Sequence, residues 1–108
     1  MEKFLDDRQQ INLVFEYIIN QGLKGNHLLF DNEQIRRAFE KGAQELTDLG
    51  TKKIQDVRDA LREIFSKPDM DAKREYIAGL PEEIQNVLIF LYFQILEKNL
   101  LLKKSKPH

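Results

Sequence analysis

Cysteine and tryptophan are absent from this chain of 108 residues, and histidine occurs only at His27 and His108. Without thiols there are no disulfides, no thiolate metal sites and no cysteine nucleophiles. The two histidines stand far from each other; Asp31 lies four residues after His27, but His27 precedes the helix that Asp31 caps, so the two need not share a face, and an ordinary surface histidine is expected there. Glycine is scarce, and Gly22 and Gly25 complete neither a phosphate-cradling Gly-x-x-x-x-Gly-Lys loop nor a dinucleotide fingerprint. An excess of one charge is missing too. With 17 basic and 18 acidic side chains the formal charge is −1, so no global field draws the chain toward nucleic acid or anionic lipid. The longest charge-free run, Ile84 to Leu96, would rise only roughly 20 Å as a helix against a hydrocarbon core of about 30 Å. No cofactor, metal or small-molecule substrate is indicated, and the expectation is a non-enzymatic chain with no membrane role. The opening Met1-Glu2-Lys3-Phe4-Leu5-Asp6-Asp7 turns acidic too soon for a secretory signal, which makes a cytoplasmic setting the expectation.

What is present is helical periodicity. The segment from about Lys3 to Asn20 spaces Phe4, Ile11, Val14, Phe15 and Ile18 along one side of a helix, with Leu13 and Tyr17 opposite. Gln21 to Asn32 breaks the pattern at Gly22 and Gly25 yet carries Leu23, Leu28, Leu29 and Phe30, so a loop that packs down is expected. Asp31 and Gln34 then read as a capping box, with Phe30 and Ile35 placed for a hydrophobic staple. The helix they open is predicted to reach about Leu46, with Phe39 at the centre of its core face. On its outer face Glu33–Arg37, Arg36–Glu40 and Lys41–Glu45 stand at four-residue spacing. Asp48-Leu49-Gly50-Thr51 reads as a turn in which Gly50 ends one helix and Thr51 caps the next.

From Lys52 to about Ser66, the residues Ile54, Val57, Leu61, Ile64 and Phe65 form a core stripe centred on Leu61. Lys67-Pro68-Asp69 stops that helix. A short helix over Met70 to Ala78 follows, closed by Gly79. Clustered carboxylates at Asp6-Asp7, Asp69 with Asp71, and Glu82-Glu83 lie at helix starts, where the helix dipole accounts for them without any catalysis.

The last helix, Leu80 to Leu102, is apolar on most sides and needs neighbours around it. The predicted fold is therefore all-α: one domain over 1–108, a compact bundle of about five helices with this hydrophobic C-terminal helix at its centre, and residues 103–108 as a frayed basic tail. On a helical wheel Ile84, Leu88, Leu91, Ile95 and Leu102 make one seam, while Ile89, Phe93, Leu96 and Leu100 make a second with heptad-like spacing. Phe90 and Leu101 fall among Glu83, Asn86, Gln94 and Glu97 on the expected wet side. The candidate partner-binding residues are accordingly Ile89, Phe90, Phe93, Leu96, Leu100 and Leu101, for another protein or a second copy of the chain in a regulatory or adaptor-like role.

The alternative is a nucleic-acid-binding regulator with a helix-turn-helix over residues 35–65, in which Lys52, Lys53 and Gln55 open the second helix. Asp56, Asp59 and Glu63 share the outer face with Arg58 and Arg62, so phosphate attraction would be largely cancelled. Leu80-Pro81-Glu82-Glu83-Ile84-Gln85-Asn86-Val87-Leu88 with Leu91-Tyr92-Phe93 resembles the first helix of the promoter-reading C-terminal domain of bacterial sigma factors. In that family a helix-turn-helix follows, whereas here Leu100-Leu101-Leu102 and lysines follow. No function is carried across from it.

Overall fold

The computed structural model describes the backbone of residues 7–105 and the side chains of residues 13–101; Phe4, Asp6-Asp7, Ile11, Leu102 and most of the basic tail lie outside one or both ranges. Six helices make up the described residues: α1 (Asp7–Leu23), α2 (Asn32–Phe39), α3 (Ala43–Lys52), α4 (Ile54–Ser66), α5 (Met70–Ala78) and α6 (Glu82–Ser105). The all-α expectation holds, and no strand occurs among them. None of these helices is long and apolar enough to cross a membrane.

Where a helix start is built from side-chain chemistry, sequence and structure agree. Asp31 accepts a bond from the Gln34 amide at 2.8 Å while the Gln34 side chain accepts from the Asp31 amide at 2.8 Å, closing the capping box. Asp69 caps α5 in the same way, accepting from the Ala72 amide at 2.8 Å. Asp71, beside it, is paired with Arg74. The loop before α2 does pack down, with Leu29 and Phe30 buried in the main core cluster.

Residues 40–53 depart from expectation. The long second helix is broken at residues 40–42, with Gly42 in extended geometry (φ −77°, ψ 153°) as the N-cap of α3. Glycine loses more than other residues in a helix interior, so a break costs least there, and it lets α2 bury Ala38 and α3 bury Leu46. The expected turn at residues 48–51 is helical instead. Gly50 lies inside α3, and Thr51 caps nothing: its hydroxyl donates back to the Thr47 carbonyl at 3.1 Å. The next change of direction comes at Lys53 (φ −106°, ψ 27°), between α3 and α4. Among the described ion pairs Arg36–Glu40 (2.6 Å) and Arg37–Glu33 (3.8 Å) form as spaced, but Lys41–Glu45 does not, because Lys41 precedes α3.

Two side chains expected at core centres are not there. Phe39 is 56% exposed, since α2 ends on it and its ring leans on Phe93 with centroids 5.1 Å apart. Leu61 is 40% exposed, because α4 turns Val57, Ala60 and Ile64 inward and leaves Ile54 and Leu61 along its edge.

Helices α1, α2, α3 and α4 all pack on α6. From Ile84 to Ile89 six consecutive side chains of α6 are buried, Gln85 and Asn86 included. Gln85 satisfies itself by donating to the Leu80 carbonyl at 2.9 Å and by accepting from Gln34 at 3.4 Å. At the first turn of α6, Glu82 faces Arg37 at 3.8 Å and Glu83 faces Lys53 at 3.9 Å. Gly22, read from sequence as a helix breaker, is inside α1. A Cβ there would collide with the Tyr92 hydroxyl and approach Leu96 to 3.0 Å, so α1 meets α6 through a glycine contact.

Candidate functional site

Beyond Ile89 the neighbours of α6 no longer surround it. Ile89 and Leu96, proposed from sequence as partner contacts, are buried inside the chain's own core and offer no surface. Phe90 and Phe93 are half-buried rather than open, because α2 and α3 reach farther along α6 than the wheel alone suggests. Asn86, placed on the wet side by the same wheel, is buried. Leu100 and Leu101 are exposed, Leu101 at 59%.

The surface that opens is a groove between α4 and α6. About 410 Å³ of space lies among Leu61, Ile64 and Phe65 of α4, Leu88, Leu91 and Ile95 of α6, and Phe15, Ile18 and Ile19 of α1, above Leu29 and Phe30 of the packed loop. Phe15 closes one end, its ring centroid 6.1 Å from that of Phe65. Of the lining side chains only Gln94, Lys98 and the Tyr92 hydroxyl are polar. A second, smaller recess of about 260 Å³ shares Leu91 and Gln94 with the groove and is lined further by Thr47, Thr51, Ile54, Val57, Val87 and Phe90. This is an apolar channel with helical walls on both sides. Its hydrogen-bonding groups are Gln94, the ammonium group of Lys98 and the Tyr92 hydroxyl in the groove, with Thr47 and Thr51 in the recess.

The opposite flank of α6 holds a second hollow of about 470 Å³, lined by Leu23, His27, Phe39, Phe93, Glu97 and Leu100 among others. His27 is not the ordinary surface histidine expected from sequence. Its Nδ1 lies 2.8 Å from the Tyr92 hydroxyl, and its ring packs edge-on against Phe93 with centroids 5.0 Å apart. Burial holds the His27 pKa below the usual histidine value and pushes the Tyr92 phenol up to about 12. Tyr92 therefore keeps its proton at neutral pH and shares a hydrogen bond with His27, in which the imidazole tautomer sets the donor. That bond ties the loop between α1 and α2 to α6. The Tyr92 phenol is held well above the range useful to a general acid or base near pH 7.

Lys52, Lys53 and Gln55 do not open a recognition helix. Lys52 ends α3, Lys53 is the bend and faces Glu83, and Gln55 donates to Asp59 at 3.0 Å on the outer side of α4. Residues 35–65 form parts of three helices, with the change of direction at Lys53 and none at Gly50. A cleft of about 510 Å³ beside them carries Lys41, Glu45, Asp48, Lys52, Glu82 and Glu83, charges of both signs. No group of three or more His, Asp or Glu side chains placed to hold a metal ion occurs among the described residues.

The groove residues Phe15, Ile54 and Leu61 were legible as apolar but assigned to the core. A signal was available in the width of the stripe: from Ala60 round to Phe65 the apolar residues of α4 span roughly 140° of the helical wheel, wider than a single buried face needs. No family model matches the sequence, and comparison with curated proteins and with solved structures found no match.

Proposed function

We propose that this chain is a non-enzymatic docking domain that works by binding another protein in the α4–α6 groove, in a regulatory or adaptor-like role within the cytoplasm. The observation that carries the reading is the placement of Leu61 and Phe15 on the walls of the groove, and of Ile54 on the recess that adjoins it at Leu91 and Gln94, instead of in the core. Scattered exposed hydrophobic residues need no explanation, but a channel lined almost wholly by them is a surface that association covers. The partner-binding set moves accordingly from the Ile89 seam to Phe15, Ile54, Leu61, Phe90, Leu91 and Ile95.

The test is site-specific photo-crosslinking in extract of the source cell. A photoreactive residue at position 61 or 54 should give discrete adducts with another protein, and one at position 55, on the outer side of α4, should not. Equal labelling at 61 and 55, or none at 61 and 54, would remove the groove as the working surface.

A further inference from the structure

We propose that the occupant of the α4–α6 groove is an acidic amphipathic helix of a partner protein; this rests on the docking reading above. Shape comes first. The α4 wall from Ile54 to Phe65 covers about 16 Å at 1.5 Å per residue, three helical turns, which matches an apolar stripe at i, i+3 or i+4, i+7 and i+11 on an incoming helix. Both walls are helices whose main-chain groups bond internally, so an extended peptide would find no strand edge to pair with.

Charge selects among helices. Arg58 stands four residues after Ile54 and three before Leu61, and Arg62 stands three before Phe65, so both exposed guanidinium groups border the apolar edge of α4. Lys98 lines the groove from the α6 side. Arg62 is paired with Asp59 at 3.2 Å, which leaves Arg58 as the cation of this wall outside the described ion pairs; of the neighbouring carboxylates, Glu63 turns to Lys67 at 3.4 Å and Glu97 to the hollow on the other flank of α6. Arg58 thus borders the groove on one wall and Lys98 on the other, and among the described residues its lining holds no carboxylate, a pattern that favours acidic residues flanking the incoming stripe. A second copy is disfavoured by the same argument. The exposed apolar end of α6, Leu100 and Leu101, follows Lys98 on the same helix, and docking it in the groove of another copy would bring that cation to the cations already bordering the groove.

A displayed library of 18-residue helices tests this, with the apolar stripe held constant, flanking positions drawn from Glu, Lys, Gln and Ala, and the full chain as bait. Selected helices should be enriched in Glu over Lys, and Leu61→Asp should abolish their binding. The exposed triple variant R58E/R62E/K98E should weaken the best of them at least about fivefold, while helices selected afresh on it should favour Lys. Helices that bind through Leu61 without charge preference, or with a preference for Lys, would overturn the acidic assignment and leave the docking reading standing. If no selected helix is sensitive to Leu61→Asp, the groove is not a helix-binding surface and both readings fall. Self-association of the parent chain that Leu61→Asp abolishes, read by sedimentation, would make a second copy the occupant and overturn the proposal.

Discussion

The two halves of α6 have nearly the same apolar content and opposite surroundings. From Ile84 to Ile89 every side chain is buried, even an amide pair, whereas from Phe90 to Leu101 full burial is confined to Tyr92 and Leu96. Hydrophobic sequence therefore states that surface must be covered, and the arrangement of neighbours decides whether the chain covers it itself. The first half contributes to folding and the second leaves apolar area uncovered.

The largest expected effect is in the enclosed half. Ile89→Ala removes a fully buried side chain and should cost about 2–5 kcal/mol in chemical denaturation. An unchanged midpoint would mean that the first half is as open as the second. Gly22→Ala sharpens the boundary in the second half, because its methyl group displaces the Tyr92 hydroxyl; a loss of about 1–3 kcal/mol is expected, with the Tyr92–His27 bond lost in the NMR signals of the imidazole. Gly50→Ala, against the first half, should go the other way. Its Cβ would rest 3.4 Å from Val87, an ordinary contact, so helix propensity should add up to about 1 kcal/mol of stability. A destabilised Gly50→Ala chain would show that α3 and α6 tolerate no added atom.

The pH prediction concerns the covered flank of the second half. Burial lowers the folded pKa of His27, so between that value and its unfolded value near 6.5 the unfolded chain binds more protons. The contribution is fully present above about 6.5 and fades as pH falls through the folded pKa. His27→Gln should flatten that part of the stability profile; a slope that persists assigns it to other groups. The smallest effect is expected at the open end. Leu101→Ala should change stability by less than about 0.5 kcal/mol, and a larger loss would mean that the end of α6 is covered within the chain.

Local chemistry was legible residue by residue. The capping box at Asp31 and Gln34, the stop at Pro68, the cap at Asp69 and the span of α5 depend on groups within four residues of one another, and each stands as read. Glycine was not legible in that way. Gly22 and Gly50 look like breakers and lie inside helices, one of them at a close approach to α6, while Gly42 looks helical and breaks the chain. A glycine relieves either a backbone angle or a steric contact, and only the position of the opposing helix tells which.

By itself the sequence determined that the chain is helical, that α2 starts at its capping box, that α4 stops before Pro68, the span of α5, and that the last helix carries more apolar surface than one neighbour can cover. Tertiary structure decided which parts of that surface are enclosed, that Phe39 and Leu61 stand outside the core, and that His27 is bonded to Tyr92, 65 positions away. The reason is range. Caps and periodicity act over a single turn, and the groove exists only because α1, α4 and α6 meet at angles that no local interaction specifies.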